Sequence, residues 1–265
     1  MTEVLLGLLA GFVVAALGTP VGVSGAVFLL PLQGSLLGVT GPAVSATNLV
    51  FNTLSTPLAL LRAPGVRARS AELVVVGAAC VPAAVLGAYG RVTLFADPAR
   101  FRILVIAVLA PLGVQLLVRS FRKAREAEPE PQPLSVVPVV PLVVLALVTG
   151  AVGGAIGIGG GSLLAPVLVA VARRTVQAAA PLALTSTLST SVCGLVAYSL
   201  FDLFHIGTPP AAPVWHIGIA TGVGGIAGAL LGATVARRAG ERALTLLLGT
   251  TATATAVSQL IQVPG

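Results

Sequence analysis

Long blocks of apolar residues, separated by short clusters of charge, set the pattern of this chain. Residues 4–61 contain no Asp, Glu, Lys or Arg, and neither do 73–90, 103–118, 134–172, 175–201, 203–236 and 243–265. A helix that crosses a bilayer needs roughly 20 apolar residues, with a range of about 17–25. By that measure 73–90, 103–118 with its flanks, the distal part of 203–236, and 243–263 read as single spans. The blocks 4–61 and 134–172 are too long for one span, and Gly and Pro interrupt both.

Those two long blocks carry an internal repeat. The run Gly22-Val23-Ser24-Gly25-Ala26-Val27-Phe28-Leu29-Leu30-Pro31 aligns with Gly157-Ile158-Gly159-Gly160-Gly161-Ser162-Leu163-Leu164-Ala165-Pro166, 135 residues on. Gly18 falls on Gly153, Ala46-Thr47-Asn48 on Leu184-Thr185-Ser186, and Leu86-Gly87-Ala88 on Leu231-Gly232-Ala233, all in order. Matches that keep their order along a half-chain indicate duplication. The division is a first transmembrane repeat over 1–125, a charged cytoplasmic linker over 126–133, and a second transmembrane repeat over 134–265.

Charge sets the expected orientation, because Lys and Arg favour the cytoplasmic side. Arg119, Arg122, Lys123 and Arg125 place 119–133 inside, and Arg62, Arg67 and Arg69 follow two spans earlier. Arg237, Arg238 and Arg242 form a second inside loop, with 203–213, free of Lys and Arg, outside. The parity closes only if the segment before Thr175 returns to the side it left, which also puts Arg173 and Arg174 inside. Both termini then face outside, and one loop disobeys the rule: Arg91, Arg100 and Arg102, with Asp97 among them, come out on the outer side. The predicted fold is an all-α polytopic membrane protein made of two inverted repeats. Each repeat is a hairpin of two short helical segments (about 4–17 with 24–37, and 139–156 with 160–172) followed by three full spans. Inverted repeats with broken helices are a common plan for secondary transporters, with the substrate held where the breaks meet.

The breaks supply the first candidate site. Gly22, Ser24 and Gly25 in one half and Gly157, Gly159, Gly160, Gly161 and Ser162 in the other permit non-helical backbone and close approach. A helix starting just beyond them aims its N–H groups and positive dipole end into the break, which suits an anion. Close helix packing uses the same small residues. A polar stripe follows each hairpin. Asn48, Asn52 and Ser55 lie on one helical face, and their repeat partners are Ser186, Thr190 and Cys193, with Thr47 and Thr185 alongside. Such residues either line a route or join helices by hydrogen bonds.

Composition narrows the function. Hydrophobic residues make up 56% of the 265 and charged ones only 9%, against about 25% charged in soluble domains, so no sizeable soluble domain fits. The net charge of +7 sits in loops between apolar runs, which is membrane topology and not a nucleic-acid surface. The start Met1-Thr2-Glu3 lacks the basic lead of a cleaved signal peptide, so the first helix is expected to stay. Cys80 and Cys193 lie in apolar runs and read as small packing residues. No Asp, Glu, Lys or Arg falls in the middle of a span, which argues against a cation pump or proton relay. His205, His216 and Trp215 read as interfacial, and no metal-ligand set, Walker loop or nucleophile–base constellation stands out. The expectation is a protein that is not an enzyme, with no cofactor and no metal.

The glycine-rich run from Gly150 through Gly153, Gly154, Gly157, Gly159, Gly160, Gly161 and Ser162 to Pro166 resembles the signature of the TauE/SafE sulfite exporter family, also called the four-toluene-sulfonate uptake permease family. The resemblance extends over nearly the whole chain, including Thr185-Ser186-Thr187. It implies a multi-pass permease of the cell (inner or plasma) membrane for sulfur-containing anions such as sulfite, sulfonates or thiosulfate. The first copy departs from the pattern, with Ser24 and Ala26 at glycine positions and Thr19-Pro20 ahead of them. The substrate-binding candidates are Gly22, Ser24, Gly25, Asn48, Asn52, Gly157, Gly159, Gly160, Gly161, Ser162, Thr185, Ser186 and Thr190. The expected partners are a small anion and the lipid bilayer, with homo-oligomerisation left open. Two rival readings are an anion channel of the same shape and a non-transporting membrane scaffold or assembly protein.

Overall fold

The structure, a computed structural model, describes residues 2–19, 24–63, 66, 69–122, 138–170, 176–207 and 210–236, together with positions 246, 250, 253 and 257. Gly22, the linker 126–133, Arg67, Arg173, Arg174, Arg237, Arg238, Arg242 and most of the span 243–263 lie outside the described residues. The described residues are all-helical where regular, in the order α1 (Thr2–Gly18), α2 (Ala26–Ser35), α3 (Ala43–Arg62), α4 (Ser70–Thr93), α5 (Pro98–Arg122), α6 (Val139–Ile156), α7 (Gly161–Ala170), α8 (Val176–Leu203) and α9 (Trp215–Ala236).

Among the described residues, four segments are long and apolar enough to cross a membrane: Ser70–Thr93, Val139–Ile156, Ala178–Leu203 and Trp215–Gly232. The protein is therefore a multi-pass membrane protein. Large apolar side chains face outward along these helices, among them Val74 and Leu86 on α4, Val140, Val144 and Val148 on α6, and Ile219 and Val223 on α9. Their exposure is what a hydrocarbon surround requires. α3 has the length of a span, ~30 Å at 1.5 Å per residue, but carries the polar stripe. It tolerates that stripe because Ser45, Thr47, Asn48, Asn52, Ser55 and Thr56 are buried in protein and not turned to lipid.

Each hairpin has unequal arms. α1 has 17 residues and α6 has 18, while α2 and α7 have 10 each. The expected short first arm at 139–156 is thus of spanning length. The helix runs on because Gly150, Gly153 and Gly154 stay helical and serve packing. A Cβ at Gly154 would lie 3.1 Å from Ala84 Cα, and one at Gly150 3.1 Å from Ala83 Cβ.

Glycine contacts fix the helix directions. α1 packs on α9, where a Cβ at Gly224 or Gly228 would fall 2.0 Å from the carbonyl oxygens of Leu8 and Phe12 respectively, so the pair runs parallel. α6 packs on α4 in the same way, with Gly150 against Cys80 and Ala83 and Gly154 against Ala84. α9 also runs parallel to α3, with Gly218 on Val50 and Gly222 on Leu54, and α4 runs parallel to α8, with Gly77 on Ser189 and Ala84 beside Gly194. The two central helices, α3 and α8, run antiparallel: Leu49 packs on Gly194, and Ala46 shares a cluster with Ala197 and Tyr198. α1 and α3 therefore point the same way, as do α6 and α8, with the short α2 and α7 between them.

Candidate functional site

The break between α6 and α7 is built by glycine. Gly157 closes α6 with φ of 85°, and Gly159 follows at φ of 76°. This left-handed region is open to Gly at little steric cost. Their amides both return to the Gly153 carbonyl, at 2.9 and 3.2 Å. Of the four amides that open α7, those of Ser162, Leu163 and Leu164 reach the carbonyls of Gly159 and Gly160, at 3.4, 3.2 and 3.0 Å. The Ser162 hydroxyl donates to the Ile158 carbonyl at 2.9 Å. Ser45, at the start of α3, seals the other side, donating to the Ala155 carbonyl at 2.9 Å.

Facing this break is the α8 stripe. A Cβ at Gly160 would sit 2.4 Å from Ser186 Oγ and 3.0 Å from Thr190 Oγ1, so both hydroxyls point at the glycine. Gly161 backs onto the Ala183 carbonyl and Thr187, and Gly159 onto Thr187. Cys80 joins this group, its Sγ 3.2 Å from Ser186 Oγ and 3.7 Å from the Ala146 carbonyl. That contact exceeds the plain packing expected of the residue. Thr185 is placed elsewhere, its methyl close to Gly77 of α4. Cys193 is half-buried.

The first half assembles a related cluster from α2 and α3. Ser24 Oγ accepts the Ala26 amide at 3.1 Å and donates to Asn52 Oδ1. Asn48 Nδ2 donates to the Ala26 carbonyl at 3.2 Å, and its Oδ1 accepts from Gln33 Nε2 at 2.9 Å. That chain fixes the amide orientations. The Ala26 carbonyl can only accept, so Asn48 turns its nitrogen there, and Gln33 presents its nitrogen to Asn48. Gly25 packs on α1, where a Cβ would fall 2.7 Å from the Val14 carbonyl. Gln33 was not among the sequence candidates, although it is the one polar side chain within the apolar run 26–34 and is wholly buried.

Four buried atoms of α2, α3 and α8 at these clusters have no partner: Asn52 Nδ2, Gln33 Oε1, Thr190 Oγ1 and Ser191 Oγ. Asn52 and Thr190 are the positions that the sequence alignment of the two halves pairs. The antiparallel register that sets Leu49 on Gly194 brings Asn52 level with Thr190 and Ser191 one turn further along. Val27 and Leu30 of α2 share an apolar cluster with Ile158 and Leu163 of the second break. Among the described residues, no Asp, Glu, Lys or Arg belongs to either polar cluster, so a charge that enters meets amide and hydroxyl dipoles and the Cys80 thiol. Among the described residues, no three His, Cys, Asp or Glu come together as a metal site.

No curated protein and no solved structure matches this chain. The family model described as Sulfite exporter TauE/SafE does, over residues 6–258. With that match running through both polar clusters and all the described helices, the chain belongs to the sulfite exporter TauE/SafE family of membrane transporters.

Proposed function

We propose that this protein is a secondary permease for sulfur-containing anions such as sulfite, sulfonates or thiosulfate, working by alternating access with the anion held between the two helix breaks. The observation that carries this is the pair Asn52 and Thr190. Both are fully buried, the sequence alignment of the two halves pairs them, and each keeps a polar atom without a partner. A buried polar group left unsatisfied costs about 1–3 kcal/mol. An oxyanion between α3 and α8 relieves that cost at both positions, accepting from Asn52 Nδ2 and from the hydroxyls of Thr190, Ser191 and Ser186. Gly157, Gly159, Gly160 and Gly161 bring backbone close without side-chain bulk, and the free Gly161 amide opens α7 with the positive end of its dipole.

The same reading makes the halves inverted copies over 1–125 and 134–265, with 126–133 cytoplasmic. Support comes from direction: the matched helices α3 and α8 run antiparallel, and each packs on the helix that follows its counterpart in the other half, α3 on α9 and α8 on α4. The test is sulfite flux into proteoliposomes loaded with purified full-length protein. Saturable flux that responds to an imposed proton gradient is expected. Flux that rises linearly with sulfite and ignores the gradient would replace the permease by a channel, and no flux of any sulfur oxyanion would leave a scaffold.

A further inference from the structure

Arg91 stands outside both polar clusters. It lies in the last turn of α4, where the side chain is 2% exposed. It also belongs to the one loop region whose arginines fall on the wrong side by the positive-inside rule. Its Nη1 donates to the Phe95 carbonyl, and its Cζ lies 3.9 Å above the Phe101 ring. Capping the end of α4 accounts for that much. Nε, however, is buried and has no partner. Among the described residues no carboxylate forms an ion pair with Arg91. Of the acidic side chains at this end, Asp97 accepts the Arg100 amide at 2.9 Å and Asp202 accepts the Ala211 amide at 2.7 Å. A guanidinium kept from water with no counter-charge is strongly unfavourable unless an anion supplies one.

We propose that Arg91 forms a second oxyanion site, at the end of the bundle where 94–97 follow α4 and Gly207 packs on Val92. With Nη1 spent on Phe95, the Nε edge of the guanidinium remains, and that edge grips two oxygens of an oxyanion side-on. Arg100 is exposed and Arg102 half-buried at the same end, which raises the local concentration of anions. Val92 beside it packs with Tyr198, whose hydroxyl donates to the Gly154 and Ala155 carbonyls at 3.1 and 3.2 Å, just ahead of the Gly157 break. An anion released from Arg91 is thus one side chain away from the second break. The inference rests on the permease reading only for which anion arrives.

The experiment follows thermal unfolding of the purified full chain against sodium sulfite and sodium sulfate at constant ionic strength. It is run in the wild type, in Gly160→Ala (which obstructs the cluster at the break), and with Arg91→Met added to each. Methionine replaces a buried charge by an apolar chain of similar length, a change that cores often accept. The expected result is a saturable anion-dependent rise in the unfolding midpoint that survives Gly160→Ala and is absent from Gly160→Ala/Arg91→Met. Arg91→Lys, which keeps charge but not the fork, should need roughly tenfold more anion, as for one lost hydrogen bond to a charged ligand. An unchanged rise in Arg91→Met, a half-saturation in Arg91→Lys equal to the wild type, or no anion-dependent rise in Gly160→Ala would overturn the site. The permease reading is judged separately by flux, so a flat Arg91→Met response beside a wild type that moves no sulfite would uphold this site and sink that reading.

Discussion

Replacing Gly160 by alanine separates a binding role for the second break from simple helix packing. Gly160 does not need left-handed backbone, unlike Gly157 and Gly159, so the added methyl acts through its volume alone. It would lie 2.4 Å from Ser186 Oγ, 3.0 Å from Thr190 Oγ1 and 3.1 Å from the Gly150 Cα. Two of those neighbours are hydroxyls that can rotate away, and overpacking of this kind costs about 1–3 kcal/mol. The protein should therefore still insert and fold. The hydroxyls would turn from the break, and each hydrogen bond lost to a charged ligand is worth about 1.5–3 kcal/mol. Two such losses total roughly 3–6 kcal/mol, and at 1.4 kcal/mol per factor of ten sulfite flux at subsaturating concentration should fall at least about a hundredfold. Proteoliposome flux normalised to inserted protein measures this. Two controls bracket it: Gly90→Ala meets nothing within 4 Å and should be silent, while Gly161→Ala drives into the Ala183 carbonyl oxygen at 1.8 Å and should not fold. Flux within threefold of wild type (about 0.7 kcal/mol) from well-inserted Gly160→Ala would refute the placement of the anion at this break.

Asn52→Ala and Thr190→Val should each weaken flux by roughly ten- to a hundredfold, as for one hydrogen bond lost to a charged ligand, and the double variant should fall short of the product of the two, because both donors serve one ligand; strict multiplicativity in initial-rate assays would separate them. Ser162→Ala should stay within about threefold of wild type in the same assay, since that hydroxyl is engaged by Ile158 and loses no ligand contact. Gly87→Ala puts a methyl 2.0 Å from the Ala151 carbonyl oxygen and should lower the unfolding midpoint of purified protein strongly, with Gly90→Ala unchanged; equal midpoints would contradict the α4–α6 contact. A C-terminal reporter active only in the cytoplasm should remain silent, and a cysteine placed in 126–133 should label only from inside; an active reporter would break the hairpin parity.

Much of this protein follows from sequence, because a bilayer imposes one-dimensional rules. The length of charge-free runs gives membrane helices, since unpaired backbone and charge are excluded from hydrocarbon. The glycines at 157–161 mark the break because two of them adopt φ values that other residues rarely take. Ser186 and Thr190, spaced four apart, necessarily share a helix face, so a glycine packed on that face meets both. Other features depend on which helices touch, and no local pattern encodes that. Gln33 becomes part of a polar cluster only because α2 folds back on Asn48. Thr185, beside the stripe in sequence, turns to α4 because one residue along a helix rotates a side chain by about 100°. Arg91 reads as a loop cation until Phe95 and Phe101 of the following segment close over it. Sequence alone determined the membrane class and the site of the glycine break, both set by local length and backbone freedom; tertiary structure alone decided which polar atoms are left without partners, because that depends on neighbours brought together from distant parts of the chain.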